Sequence, residues 1–233
     1  MAETTQIWEK EILPRWEARR DDKRTVQLWR AGLPPRVRGR VWALAIGDTL
    51  GITDDLFEIC LGRARAALQA GGGAAPLGKE STVALIETDL ERTFPVLAFF
   101  QAGGPLHASL RDVLQAYACF RPDVGYVQGM SFLGAMLLLN MDRTDAFRAL
   151  CNLLNRRCHR AFYLMDTPTV ARYQGVLTLL MQQQLPAVAQ WFLELGVGVD
   201  LFIYEWFFTL YARSLPLDLA TRIWDHYLLA GDV

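Results

Sequence analysis

The stretch Gly104-Pro-Leu-His-Ala-Ser-Leu-Arg-Asp-Val-Leu-Gln-Ala-Tyr117 carries the pattern that decides the fold. Pro105 stands where a first helical residue tolerates a missing N–H. Leu106, Leu110, Val113, Leu114 and Tyr117 then follow at the spacing of one helix face. The pattern returns after Thr167-Pro168 with Val170, Tyr173, Leu177 and Leu180. It returns again after Pro216 with Leu217, Ala220, Ile223, Trp224 and Tyr227. Alternation of strand length is scarce. Val197 to Tyr204 is the one tempting run, and Asp200 within it reads better as a helix cap. The expectation is an all-α fold with no significant sheet, built from about ten helices joined by short Gly, Pro or Asp turns. Residues 1–233 are expected to form one multi-helix domain.

Composition narrows the function. Apolar residues make up 52% of the chain, which argues against disorder. Lys and Arg (24) nearly balance Asp and Glu (25), which removes the whole-molecule electrostatic case for nucleic acid. Cys60, Cys119, Cys151 and Cys158 form no C-x-x-C pair and read as buried free thiols in a reducing, cytoplasmic setting. Cys151, Cys158 and His159 lack a fourth metal ligand at a recognised spacing. The N-terminus, with Glu3, Glu9, Lys10 and Glu11, has no apolar targeting core. The longest apolar run, Phe132 to Leu139, is far short of the roughly 20 residues a membrane span needs. A soluble protein is expected. The basic cluster Arg15, Arg19, Arg20, Lys23 and Arg24 is diluted by Glu9, Glu17, Asp21 and Asp22 and reads as a solvated face.

Residues 70–78 are Gly-rich and read as a flexible loop within the domain. Gly73, Gly78 and Lys79 imitate the opening of a phosphate-binding loop. Glu80, however, replaces the Ser or Thr hydroxyl that holds Mg²⁺, and Pro76 removes an N–H from the cradle. No nucleotide site of the chain's own is expected there.

Two segments could carry chemistry. In Ile86-Glu-Thr-Asp89-Leu-Glu-Arg92-Thr-Phe-Pro95, read as a helix from Ser81, the residues Val83, Ile86, Leu90 and Phe94 share one stripe. Arg92 lies roughly opposite, with Asp89 three residues earlier and within reach of its guanidinium. Pro95 places Arg92 near a helix end. A braced, outward arginine is what stabilising charge on another molecule requires. On this segment alone an ordinary surface ion pair is the commoner reading. In Arg121-Pro-Asp-Val-Gly-Tyr126-Val-Gln128-Gly129-Met, turn residues put Gln128 at the entrance of the very apolar Met130–Leu139 segment. An amide both donates and accepts and so can orient a water, although a helix-capping glutamine fits the same pattern. His107, His159 and His226 share no segment with a nucleophile, and Asp123 and Asp142 read as caps.

Together the two segments resemble the signature motifs of the TBC domain, the Rab GTPase-activating family. Ile86, Asp89 and Arg92 match its I-x-x-D-x-x-R, and Tyr126, Gln128 and Gly129 match its Y-x-Q-G. Gly32-Leu-Pro34, Arg38 and Trp42 look like the family's opening segment. Trp206, Leu210, Leu215-Pro216 and Arg222-Ile-Trp224-Asp225 resemble its later helices. The resemblance implies a GTPase activator rather than an enzyme on its own, with a GTP-bound Rab-family GTPase as partner. It implies that Arg92 is an arginine finger and Gln128 a glutamine finger, with Asp89, Tyr126, Gly129 and Ile86 in support. GTP and Mg²⁺ would be carried by the partner, so no cofactor of the chain's own is expected. Membrane contact would be indirect, through a lipidated partner at endomembranes. The alternatives are a module of the same fold that docks a GTPase without accelerating it, and a helical scaffold. Domains of this family continue past the Trp-Asp segment, so part of the C-terminal helices is expected to be missing. Arg38, Trp42, Arg222 and Trp224 read as scaffold.

Overall fold

The computed structural model describes residues 2–69 and 80–231, and all its regular elements are helical. The N-terminal segment is irregular: α1 (Ala2–Ile7) runs into a π-helical stretch, a 3₁₀ turn and the short α2 (Trp16–Arg19). Then come α3 (Lys23–Ala31), α4 (Pro35–Ile46) and α5 (Asp54–Gln69). A 3₁₀ stretch over Glu80–Leu85 leads into α6 (Ile86–Glu91), followed by α7 (His107–Phe120), α8 (Met130–Leu138) and α9 (Arg143–Asn155). The chain goes on through α10 (Arg157–Tyr163), α11 (Thr167–Gln184), α12 (Pro186–Glu194), α13 (Asp200–Thr209) and α14 (Leu217–Ala230). The all-α expectation holds. The helices outnumber the expected ten because interruptions split stretches that periodicity alone would join. The Gly-rich 70–78 loop and the imitation phosphate loop at Gly73, Gly78 and Lys79 lie outside the described residues.

Start signals translate unevenly into helix ends. Asp142 caps α9, accepting from Asp145 N at 2.9 Å, and Asp166 caps α11, accepting from Thr169 N at 3.4 Å. Pro105 falls two residues ahead of α7, in the turn rather than in the helix. Asp200 is the first residue of α13 and not its cap, which is Val199. Asp200 still places a negative charge in the first turn of the helix, where the helix dipole favours one. Asp123 caps nothing; it pairs with Arg121.

The core sits around α7 and α8. All nine residues of α8 are buried, so the run Met130–Leu138 is interior on every face. Helices α5, α6, α8 and α9 surround α7. Gly134 permits the closest approach: a Cβ there would lie 2.8 Å from Leu110 Cδ1. Gly39 does the same for α4, where a Cβ would come within 1.8 Å of Asn140 O. A smaller aromatic cluster joins α10, α11 and α13, with Phe162 stacked on Phe207 at 4.4 Å.

The opening and closing segments meet at Asp225 of α14, which is fully buried. Its carboxylate accepts from Trp42 Nε1 (2.9 Å) and Leu33 N (3.3 Å) and pairs with Arg38 and Arg222 (both 3.4 Å). Trp42 packs on Trp224 at 5.1 Å, and the Trp224 indole donates to Leu210 O at 3.1 Å. These residues are structural, as their sequence pattern suggested.

His159 of α10 is buried, with Nε2 3.0 Å from the Tyr227 hydroxyl. Burial and then the Arg156 charge push its pKa from 6.5 down to about 4. The folded value is the lower one, so the unfolded chain takes up the proton first as pH falls. Stability is therefore full above about pH 6.5 and declines below it. This group should cost about 1.5 kcal/mol between pH 6.5 and 5. Urea midpoints measured across that window should fall in the wild type and fall less in His159→Gln.

Candidate functional site

The short helix α6 ends where Pro95 forbids its continuation. Phe94, before the proline, takes a left-handed conformation at φ 44, which costs about 1–2 kcal/mol for a non-glycine residue. Its ring is held between Phe132 (5.3 Å, edge-on) and Phe100 (6.3 Å). Arg92 occupies the cap position of α6, and its side chain is 46% exposed. Ile86 and Leu90 are fully buried on the opposite stripe. The outward placement read from spacing is correct.

Asp89 departs from the surface-pair reading. It is 3% exposed and accepts from three groups. The Arg92 guanidinium donates to Oδ1. Oδ2 accepts from the Tyr126 hydroxyl at 2.5 Å and from Gly129 N at 3.2 Å. One carboxylate thus holds the arginine of the first segment and the backbone beside the glutamine of the second. Burial, reinforced by the adjacent carboxylate, raises the Tyr126 phenol well above its ordinary pKa, so it stays protonated and donates.

Three further residues that sequence reasoning missed complete this arrangement. Thr93, fully buried, donates through Oγ1 to Asp89 O (2.7 Å) and lies 2.8 Å from Ser131 Oγ on α8. The Gln101 amide donates to Thr93 O at 2.9 Å and lies 3.3 Å from Glu91 O, satisfying carbonyls that the end of α6 leaves open. Neither Thr93 nor Gln101 stands in a periodic pattern, so only their contacts reveal them.

Gln128 lies in the turn before α8 and is exposed. Gly129 after it has φ 99, a left-handed conformation suited to glycine, and a Cβ there would meet Thr209 Cγ2 at 3.5 Å. Beside Arg92 an apolar hollow of about 430 Å³ opens, bounded by Phe94, Val96, Phe132, Leu215 and Pro216. The exposed cation and the hollow beside it can receive another molecule, and the exposed amide stands on the loop that shares Asp89 with that cation. No group of three or more His, Cys, Asp or Glu is placed to hold a metal among the described residues. No helix among them is long and apolar enough to cross a membrane.

The family model of the Rab-GTPase-TBC domain matches residues 35–233, which include Arg92 and Gln128. The chain belongs to the Rab-GTPase-TBC family. TBC1 domain family member 14 of Rattus norvegicus is 45% identical over 236 residues, covering 97% of this chain and 34% of that protein. Member 12 of Xenopus tropicalis is 44% identical, with 97% of this chain and 35% of that protein covered. Drainin of Dictyostelium discoideum is 36% identical over all of this chain and 64% of its own length. The chain therefore spans about a third of the length of the TBC1 relatives it matches, 34% for member 14. Among solved structures, a Chlamydomonas flagellar RabGAP TBC domain superposes with a TM-score of 0.74 at 24% identity, covering 98% of this chain and 72% of that one. The Ypt/Rab-GAP domain of Gyp1p gives 0.65 at 21% identity, covering 94% and 79%. At those identities the two TBC structures establish the fold.

Proposed function

We propose that this chain accelerates GTP hydrolysis on a GTP-bound Rab-family GTPase, placing Arg92 and Gln128 in the partner's nucleotide site. The observation that carries the reading is the shared Asp89 carboxylate, which braces the Arg92 guanidinium while fixing Gly129 beside Gln128. Two exposed groups with complementary chemistry, anchored to one buried charge, form a preorganised pair. The buried Asp225 network ties helices together without presenting an exposed residue, whereas the Asp89 network ends on the exposed Arg92 guanidinium and on the loop that carries the exposed Gln128.

In this reading the partner brings GTP and Mg²⁺, and the chain brings no cofactor. The Gln128 amide accepts a hydrogen bond from the attacking water and donates to the partner, fixing the line of attack. The Arg92 fork neutralises charge that grows on the transferring phosphoryl oxygens. Asp89 prevents the guanidinium from searching other rotamers, and Tyr126, held protonated, keeps that carboxylate in place. Ile86 locks the far side of α6 into the core. The chain is a GTPase activator and not an enzyme on its own. It works in the cytoplasm and meets endomembranes through the lipidated partner.

Single-turnover hydrolysis across a panel of GTP-loaded Rab proteins tests this. Wild-type chain should accelerate at least one Rab. Gln128→Ala should then lose roughly 10²-fold of that acceleration, the scale of one preorganised hydrogen-bonding group, with folding unchanged because the side chain is exposed. Binding without acceleration would identify a docking module instead. Failure to bind any loaded Rab would leave a helical scaffold.

A further inference from the structure

The turn upstream of Gln128 is built with more care than a connection between two helices requires. Arg121 follows the last residue of α7 and donates through Nε and Nη2 to Asp123 Oδ1 (2.8 Å) and Oδ2 (2.7 Å), a two-point fork. Its third donor, Nη1, reaches Asn155 Oδ1 at the end of α9 (3.2 Å). The Arg121 carbonyl accepts from Val124 N (3.0 Å) and Gly125 N (2.7 Å), closing the turn, and Gly125 supplies the φ of 69 that closure needs.

The loop's remaining amides are then fixed one by one. Tyr126 N donates to Thr82 Oγ1 (2.6 Å), Val127 N to Met130 Sδ (3.4 Å), and Gly129 N to Asp89 Oδ2 (3.2 Å). From 124 to 129, Gln128 is the residue whose N–H has no acceptor among the described residues, and its side chain is exposed. A loop immobilised on both sides of one outward residue presents that residue.

The Arg121–Asp123 pair is partly open to water, with side chains 19% and 50% exposed. The pair holds Asp123 below and Arg121 above their ordinary pKa values, so both stay charged. Pairs this exposed contribute little to global stability, so the effect of this one falls on where the loop stands. Asn155 ties that position to α9 and hence to the core.

We propose that Arg121, forked onto Asp123 and anchored to Asn155, is a positioning residue that sets the placement of Gln128 for the partner's attacking water. This rests on the GTPase-activating reading. A lysine in its place would keep the charge but could not make the fork.

The test uses single-turnover hydrolysis by the panel Rab that wild-type chain accelerates most, with chain concentration varied to separate maximal rate from half-saturation. Asp123→Asn and Arg121→Lys should each lower the maximal rate roughly tenfold, a fraction of the loss a misplacement of about 1 Å can cause. Half-saturation and thermal midpoint should stay at wild-type values. In the Gln128→Ala background the further loss should vanish, whereas in the Arg92→Lys background it should persist. An undiminished loss in Gln128→Ala, a change in half-saturation alone, or a parallel drop in thermal midpoint would each overturn the assignment. If wild-type chain accelerates no Rab, the activator reading fails and this one with it. If it does and Asp123→Asn is silent, only this one fails.

Discussion

Arg92→Ala is expected to lower the maximal rate of partner GTP hydrolysis by about 10³-fold or more, the scale on which an activator's arginine acts in related GTPases. The loss should appear in the rate and leave half-saturation with the GTP-loaded partner nearly unchanged, because the interaction matters most once charge has built up. Folding should survive. The Arg92 side chain is 46% exposed, and although its removal takes the counter-charge from the buried Asp89 and so costs some stability, that carboxylate still accepts from Tyr126 and Gly129. Arg92→Lys should recover little, since an ammonium is a point charge and cannot fork between Asp89 and a phosphoryl oxygen. Urea denaturation alongside the kinetics separates chemistry from stability. An unchanged rate in Arg92→Ala, on a partner that wild-type chain accelerates, would refute the mechanism.

The second large effect concerns stability. Asp225→Ala removes a fully buried carboxylate that the Trp42 indole, the Leu33 amide and the Arg38 and Arg222 guanidiniums all address. Removing one side of such a network strands its donors and charges, and breaking a buried ion pair costs about 3–5 kcal/mol. Against a total stability on the order of 5–15 kcal/mol, that is a large share. The denaturant midpoint should drop steeply. Asp225→Asn keeps an acceptor for Trp42 but not the charge, so its loss should be smaller. A change under about 1 kcal/mol in Asp225→Ala would mean that water replaces the carboxylate, contrary to its burial.

The architecture was legible because helices write their faces locally. Leu110, Val113, Leu114 and Tyr117 are buried on α7 as their spacing demands, and Asp142 and Asp166 cap their helices. Legibility stopped where contacts span long stretches of chain. Spacing placed Asp89 beside Arg92, but nothing local says that Tyr126 and Gly129, 37 and 40 residues on, donate to the same carboxylate. Separations of 38, 183 and 34 residues likewise hid Thr93 from Ser131, Asp225 from Trp42, and Asn155 from Arg121. The irregular turns of the N-terminal segment escaped for another reason: Trp8, Trp16 and Trp29 pack as a cluster, and tertiary packing bends the backbone away from a regular period. The roles proposed for Arg92 and Gln128 in hydrolysis rest on resemblance, since no spacing rule encodes what a partner will bring.

The burial of α8 on every face has a metric consequence. Its near end is pinned where Gly129 meets Asp89, and its far end where Asn140 O rests against Gly39 with no room for a side chain. The helix between is a gauge block of nine residues. Each residue added or removed would shift one end by about 1.5 Å and turn it by roughly 100°. Neither end has slack to absorb the change, so the error would pass into the Gln128 loop. Apolar swaps of equal volume should be tolerated along α8, while a change of length by a single residue should not.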